Sequence, residues 1–136
     1  MNNIFCVKTT PEDPIIKDKY RDSHVYDLFW QAKKRYKKKF NFYLLTNLTT
    51  VIHPEIKIID VSKWKLDGWW NKMLLFHPQV DKEGTNLYFD LDVVIYNKLP
   101  NLIREKFTLM DDTWYREPAH TPLNSSIVSW TGDVSH

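Results

Sequence analysis

Glycine is scarce, with three among 136 residues, and this excludes the Gly-rich loops that cradle phosphates in dinucleotide-binding and Walker-type sites. Any phosphate here must be held by metal, lysine or isolated backbone amides. Cysteine occurs once, as Cys6, so an internal disulfide is impossible; its place inside an apolar run reads as a small buried side chain in a reducing, cytoplasmic compartment. No stretch approaches the roughly 20 apolar residues that span a bilayer, and the first residues lack the basic start and apolar core of a secretory signal. Nor is there an excess of charge: 19 basic against 17 acidic residues leave a formal charge of +2, too balanced to argue for nucleic acid. What is abundant is core material, 43% hydrophobic and 15% aromatic, enough for one packed domain over residues 1–136.

Periodicity divides the chain into alternating elements. Ile4-Phe5-Cys6-Val7 reads as a buried strand closed by Thr9, Thr10 and Pro11. From Asp22 to Phe40, Val25, Leu28, Phe29, Ala32, Tyr36 and Phe40 recur at spacings of three and four, one face of a helix capped by Asp22 or Ser23. Its basic end, Lys33-Lys34-Arg35 and Lys37-Lys38-Lys39, suits the negative end of the helix dipole and reads as a solvated face. Strands follow at Asn41 to Asn47 and Ile56 to Val61, then a helical pattern through Trp69, Trp70, Met73, Leu74 and Phe76 that stops near His77-Pro78. Leu87 to Ile95 is the most strand-like segment. Beyond it the pattern weakens: a short helix over Leu102 to Phe107, a strand at Thr108 to Met110, a loop from Asp111 to Pro122 and a strand at Ser126 to Trp130. Strands alternating with helices imply an α/β fold with a mostly parallel sheet flanked by helices.

Within Leu87 to Ile95, Asp90 and Asp92 interrupt what would otherwise be core. If strand pairing runs through both, they project to the same side, since residues two apart share a face. Two carboxylates side by side repel, and a hard divalent cation, Mn2+ or Mg2+, is the simplest compensation; such a pair anchors a metal-diphosphate. The bland alternative is an acid that caps a turn beside one paired with a lysine. An apolar run into Asp-x-Asp also resembles the nucleophile strand of haloacid-dehalogenase-like phosphatases, but theirs is the first strand of the core, and only about 44 residues remain here.

About 85 residues of β-α-β pattern followed by Asp-x-Asp resemble instead the nucleotide-sugar half of GT-A glycosyltransferases. Three blocks carry the likeness: Gly68-Trp69-Trp70-Asn71-Lys72-Met73-Leu74-Leu75-Phe76 is similar to a Trp-Trp-x-Lys helix of small bacterial and viral members, Leu87 to Ile95 to their metal motif, and Asn124 to Gly132 to their terminal block. The resemblance implies transfer of a sugar from a nucleotide-diphosphate donor, a UDP-sugar such as UDP-glucose, to an acceptor hydroxyl with Mn2+ or Mg2+.

It further implies roles. Asp92 contacts the metal directly, and Asp90 contacts it through water or binds the ribose. Lys8, Thr9 and Thr10 lie where base and ribose are received, Thr46 faces the base, and Lys72 reaches phosphate. His136 is the candidate third metal ligand, with His120 and Asp133 as substitutes, and Asp111 or Asp112 is the candidate general base. Trp69 and Trp70 read as core rather than sugar platforms. Phosphatase chemistry and a non-catalytic nucleotide-sugar binding module are the alternatives; nucleic acid and a membrane span are not expected. Relatives usually continue into acceptor-shaping elements, so the expectations here are a minimal catalytic core, oligomerisation to complete the cleft, or loss of activity.

Overall fold

The structure is a computed structural model that describes residues 2–11, 13, 15, 19–51, 53–80, 83–111 and 123–132. Among these residues six strands form one sheet: β1 (Asn2–Val7), β2 (Phe40–Thr46), β3 (Ile56–Asp60), β4 (Thr85–Phe89), β5 (Thr108–Asp111) and β6 (Leu123–Thr131), in the order β3-β2-β1-β4-β6-β5. The pairs β2–β3, β1–β2 and β1–β4 are parallel, while β6 runs antiparallel to both β4 and β5. The expected α/β fold with a mostly parallel sheet is what the chain adopts.

Alternation along the strands feeds two cores. Ile4 and Cys6 of β1, Phe42 and Leu44 of β2, and Leu87 and Phe89 of β4 face the helix α1 (Asp22–Arg35), which buries Val25, Leu28, Phe29 and Ala32 against them. The intervening residues Phe5, Leu45 and Tyr88 face the other way, onto Leu74, Leu75, Val80, Val128 and Trp130. Near-continuous apolar strands are what burial on both faces demands. Each fully buried Leu or Phe contributes about 1.5–3 kcal/mol, so this double layer is the main source of stability. Cys6 is fully buried, and burial pushes its thiol well above the ordinary range, leaving it inert.

Several boundaries differ from the sequence reading. Helix α1 stops at Arg35, and Phe40 opens β2. Its N-cap is Arg21, where the expected Asp22 or Ser23 are already helical; the Arg21 amide donates to His24 Nδ1 at 2.9 Å, and the His24 amide donates back to the Arg21 carbonyl at 3.0 Å. The segment Gly68–Phe76 is helical but of the tighter 3₁₀ kind, and the short helix expected over Leu102 to Phe107 lies earlier, as the 3₁₀ turn Leu99–Leu102. β4 ends at Phe89, so Leu91 to Ile95 lie outside the strand even though Leu91 and Ile95 are buried against the α1 core.

On the α1-distant face, at the strand starts, an asparagine ladder crosses the sheet. Asn41 Nδ2 donates to Asn3 Oδ1 at 3.0 Å, and Asn3 Nδ2 donates to Asn86 Oδ1 at 2.9 Å. These residues are register partners across β2, β1 and β4, and Lys57 extends the row by donating to Asn41.

Candidate active site

In open α/β sheets, ligands bind beyond the carboxyl ends of the strands where the strand order reverses. Here the chain leaves β1 for β2 on one side, while β4 returns on the other, so the reversal lies between β1 and β4. Phe5 pairs with Tyr88, and this register brings Asp90, the first residue past β4, level with Val7 at the end of β1.

Past Phe89 the chain turns sharply. The Asp90 amide still donates to Ser126 O of β6 at 2.8 Å, but Val93 N then donates back to Asp90 O at 3.1 Å, closing a four-residue turn over Leu91 and Asp92. The expectation that the two acids project together from one strand is therefore corrected: pairing stops before them, and the turn sends their carboxylates to different partners. Asp90 Oδ1 lies 2.8 Å from Lys72 Nζ and accepts a hydrogen bond from the phenol of Tyr88. Asp92 Oδ2 accepts from Tyr20 Oη at 3.0 Å and lies 3.6 Å from Lys19 Nζ, in the segment entering α1. Asp92 remains about half exposed, Asp90 about one quarter. Burial, reinforced by the Asp90 charge, pushes the Tyr88 phenol far up, which fixes it as a proton donor to Asp90.

Lys72 is held on several sides. It projects from the 3₁₀ helix, donates to Ser125 O at 3.2 Å and Ser125 Oγ at 3.3 Å, and stands 4.9 Å from the ring centre of Tyr88. Together with Asp90 and Tyr88 it joins three of the sequence blocks into one polar cluster at the strand ends.

The residues after β1 separate. Lys8 is buried, with its ammonium 3.5 Å from Asp22 Oδ1 at the start of α1, and Asp22 also accepts bonds from Thr49 and Thr50. Burial would raise the Asp22 pKa, but the Thr50 side-chain and backbone bonds, the Lys8 charge and the Thr49 bond outweigh it and hold the carboxyl below its usual range. Thr10 exchanges two 2.8 Å hydrogen bonds with Asn47 at the end of β2. Thr46 is buried, and its hydroxyl is engaged with Leu48 N and O.

Thr10 and Asn47 open onto a cleft of about 180 Å³ whose far wall is Lys65, Leu66, Asp67, Gly68 and Asn71. Asn71, almost fully buried, shapes that wall: its Nδ2 donates to Leu66 O at 2.8 Å and Gly68 O at 3.0 Å, and lies 3.4 Å from Thr9 Oγ1. Lys65 and Gly68 both adopt left-handed backbone here, with φ of 51° and 52°; glycine does so freely, while for Lys65 it is local strain of the kind that collects at ligand sites. Asn47, Asp67 and Asn71 were not singled out from sequence; only Asn71, inside the Trp-Trp-x-Lys block, carried a signal.

β5 runs parallel to β4, so its last residue, Asp111, is exposed at the same edge of the sheet two strands away. Asp112, His120, Asp133 and His136 lie outside the described residues, as does the side chain of Trp69. Trp70 departs from the core reading: it is 53% exposed. Among the described residues no three His, Cys, Asp or Glu side chains converge as a metal cluster.

The fold of this chain matches solved structures over nearly its whole length. Glycosyltransferase GlyE of Streptococcus pneumoniae TIGR4 superposes with a TM-score of 0.58 at 12% identity, over 95% of this chain and 33% of its own. Its apo form gives a TM-score of 0.52 at 15% identity. An active-site mutant of the glycosyltransferase LgtC gives 0.60 at 14% identity, over 96% of this chain and 57% of its own. The fold is that of these glycosyltransferases. The chain spans between a third and just over half of their lengths. No protein-family model and no curated relative matches the sequence. Among the described residues no helix is long and apolar enough to cross a membrane.

Proposed function

We propose that the chain is the nucleotide-sugar-binding unit of a metal-dependent glycosyltransferase, moving a sugar from a UDP-sugar such as UDP-glucose to an acceptor hydroxyl. The observation that carries this reading is the placement of the Asp90-to-Val93 turn at the strand-order reversal, beside Lys72, whose chain neighbour Asn71 lines the Thr10/Asn47 cleft. A cleft of that volume accommodates a pyrimidine base, and its amide and carboxylate groups offer both donors and acceptors. The diphosphate would then extend toward Lys72 and the turn.

The donor set fits a hard divalent cation, Mn2+ or Mg2+. Asp90 and Asp92 supply carboxylate oxygens from one turn, the ligand type such ions take, and a bound cation would take the place that a lysine ammonium now holds beside each. When bound, such a cation neutralises the charge that develops on a departing diphosphate. Asp92, the more exposed acid, is the stronger direct ligand, with His136 as the proposed third. Lys8, locked to Asp22, supports the end of β1, while Thr9 and Thr10 border the base and ribose region. Asp111, at the same edge as the turn, and Asp112 after it are the proposed bases for the acceptor hydroxyl.

Calorimetric titration with UDP-glucose in Mn2+, together with UDP release from a panel of UDP-sugars with and without chelator, tests the proposal. Metal-dependent UDP binding and turnover are expected. A chain that binds no nucleotide under either condition would remove the reading, and binding without turnover would assign a carrier module instead.

A further inference from the structure

The cation facing Asp90 is part of the chain. Lys72 Nζ lies 2.8 Å from Asp90 Oδ1, 3.2 Å from Ser125 O and 3.3 Å from Ser125 Oγ, so three acceptors meet its three N–H donors. The Tyr88 ring lies beside it, and the Tyr88 phenol donates to the same Asp90 oxygen. Asp90 is thus a carboxylate with one oxygen already engaged by an ammonium and a phenol, in a partly buried setting where water screens charge less than at the open surface. Asp92 differs, being more exposed and facing a lysine that is itself 73% exposed.

We infer that Lys72 is a built-in counter-ion that competes with a divalent cation for Asp90, so that the site takes up metal as the ammonium is drawn away. The inference rests on the reading of the Asp90-to-Val93 turn as a metal-diphosphate site. Two physical points drive it. A divalent ion on the Asp90 carboxylate would stand within a few ångströms of an ammonium pinned at that same carboxylate, and like charges so close oppose one another strongly. A diphosphate supplies stronger anionic acceptors than Ser125, and a lysine on a flexible four-carbon stem can swing to them. Loading of metal and of diphosphate then become mutually favourable, because each removes an obstacle to the other.

The test uses Mn2+ alone, titrated into the full chain and followed by the paramagnetic signal of the free ion. The unmodified chain should bind weakly. Lys72→Met, which keeps the stem and removes the charge, should tighten Mn2+ binding at least tenfold. Lys72→Arg, which keeps the charge, should stay as weak as the unmodified chain. Adding Asp90→Asn to Lys72→Met should erase the gain and so place the ion at Asp90. Equal affinities for the unmodified chain and Lys72→Met would overturn the inference, as would a gain in Lys72→Arg or a gain that survives loss of Asp90. Circular dichroism on each variant separates unfolding from loss of charge, and an unfolded Lys72→Met is replaced by Lys72→Gln under the same criteria. No nucleotide and no turnover enter the measurement, so absence of glycosyl transfer and failure of this inference are read separately.

Discussion

Lys8 Nζ and Asp22 Oδ1, 3.5 Å apart, tie the end of β1 to the first turn of α1, and Asp22 in turn fastens the loop after β2 through Thr49 and Thr50. The ammonium is almost wholly buried, so the pair stands or falls together: removing the carboxylate leaves a buried charge without its counter-ion. Asp22→Asn is expected to cost about 2–3 kcal/mol, read as a lower urea midpoint at unchanged slope.

The same pair sets an acid limit. Because the folded chain holds the Asp22 carboxyl below the ordinary value of about 3.9, its contribution is full above that value and is lost as pH falls through the lower folded-state value. Unfolding curves collected downward from neutral pH should show the unmodified chain losing stability more steeply below about pH 4 than Asp22→Asn does. Parallel curves for the two proteins would show that Asp22 does not carry the effect.

The asparagine ladder gives a second stability prediction. Asn3 is 2% exposed and bonds to amides on both neighbouring strands and to the Glu83 carbonyl, so Asn3→Leu removes three hydrogen bonds from the sheet. A buried group left unpaired costs about 1–3 kcal/mol. The expected loss is about 3 kcal/mol, despite a gain in apolar volume, and a neutral or stabilising Asn3→Leu would mean that water replaces the partners.

What was legible in the sequence follows from period. Two-faced apolar strands and the three-and-four spacing of Val25, Leu28, Phe29 and Ala32 announce a parallel α/β sheet, because burial is what fixes those residues. The end of β4 was not legible. Val93, Val94 and Ile95 look like strand from composition, yet Val94 is 71% exposed, and only Leu91 and Ile95 are buried, as parts of a turn and the loop after it. Local propensity cannot tell an apolar residue on a pairing strand from one that pins a loop to a core. The cleft wall was equally hidden: Asn71 acts through backbone carbonyls three and five residues before it, and such bonds depend on the 3₁₀ winding, not on a motif. Asp90 and Lys72 were visible as residues but not as a pair, since 18 positions and the strand β4 separate them.

Asp92 and Asp90 should separate experimentally. Asp92 is half exposed, with its partners Tyr20 and Lys19 at the surface, so Asp92→Asn should leave the urea midpoint within about 0.5 kcal/mol of the unmodified chain. The same change should abolish the Mn2+-dependent part of UDP binding measured by calorimetry. Unchanged metal-dependent binding would remove Asp92 from the site and leave Asp90 with the metal alone.

Asn71 tests whether the cleft beside the turn receives the nucleotide. Its amide holds the Leu66 and Gly68 carbonyls and borders Thr9, so it fixes the wall facing Thr10 and Asn47 without being exposed itself. Asn71→Leu keeps the volume and removes the bonds, which frees the Lys65-to-Gly68 segment, left-handed at its two ends, to relax. The expected result is a drop in UDP affinity of tenfold or more, equivalent to about 1.4 kcal/mol, with a smaller effect on Mn2+ binding in the absence of nucleotide. A loss of global stability alone would lower both in proportion to the unfolded fraction, so the ratio of the two affinities is the deciding quantity. If UDP binding survives intact in a folded Asn71→Leu protein, the base does not sit against this wall, and the nucleotide must approach the Asp90 turn from the Tyr20 side instead.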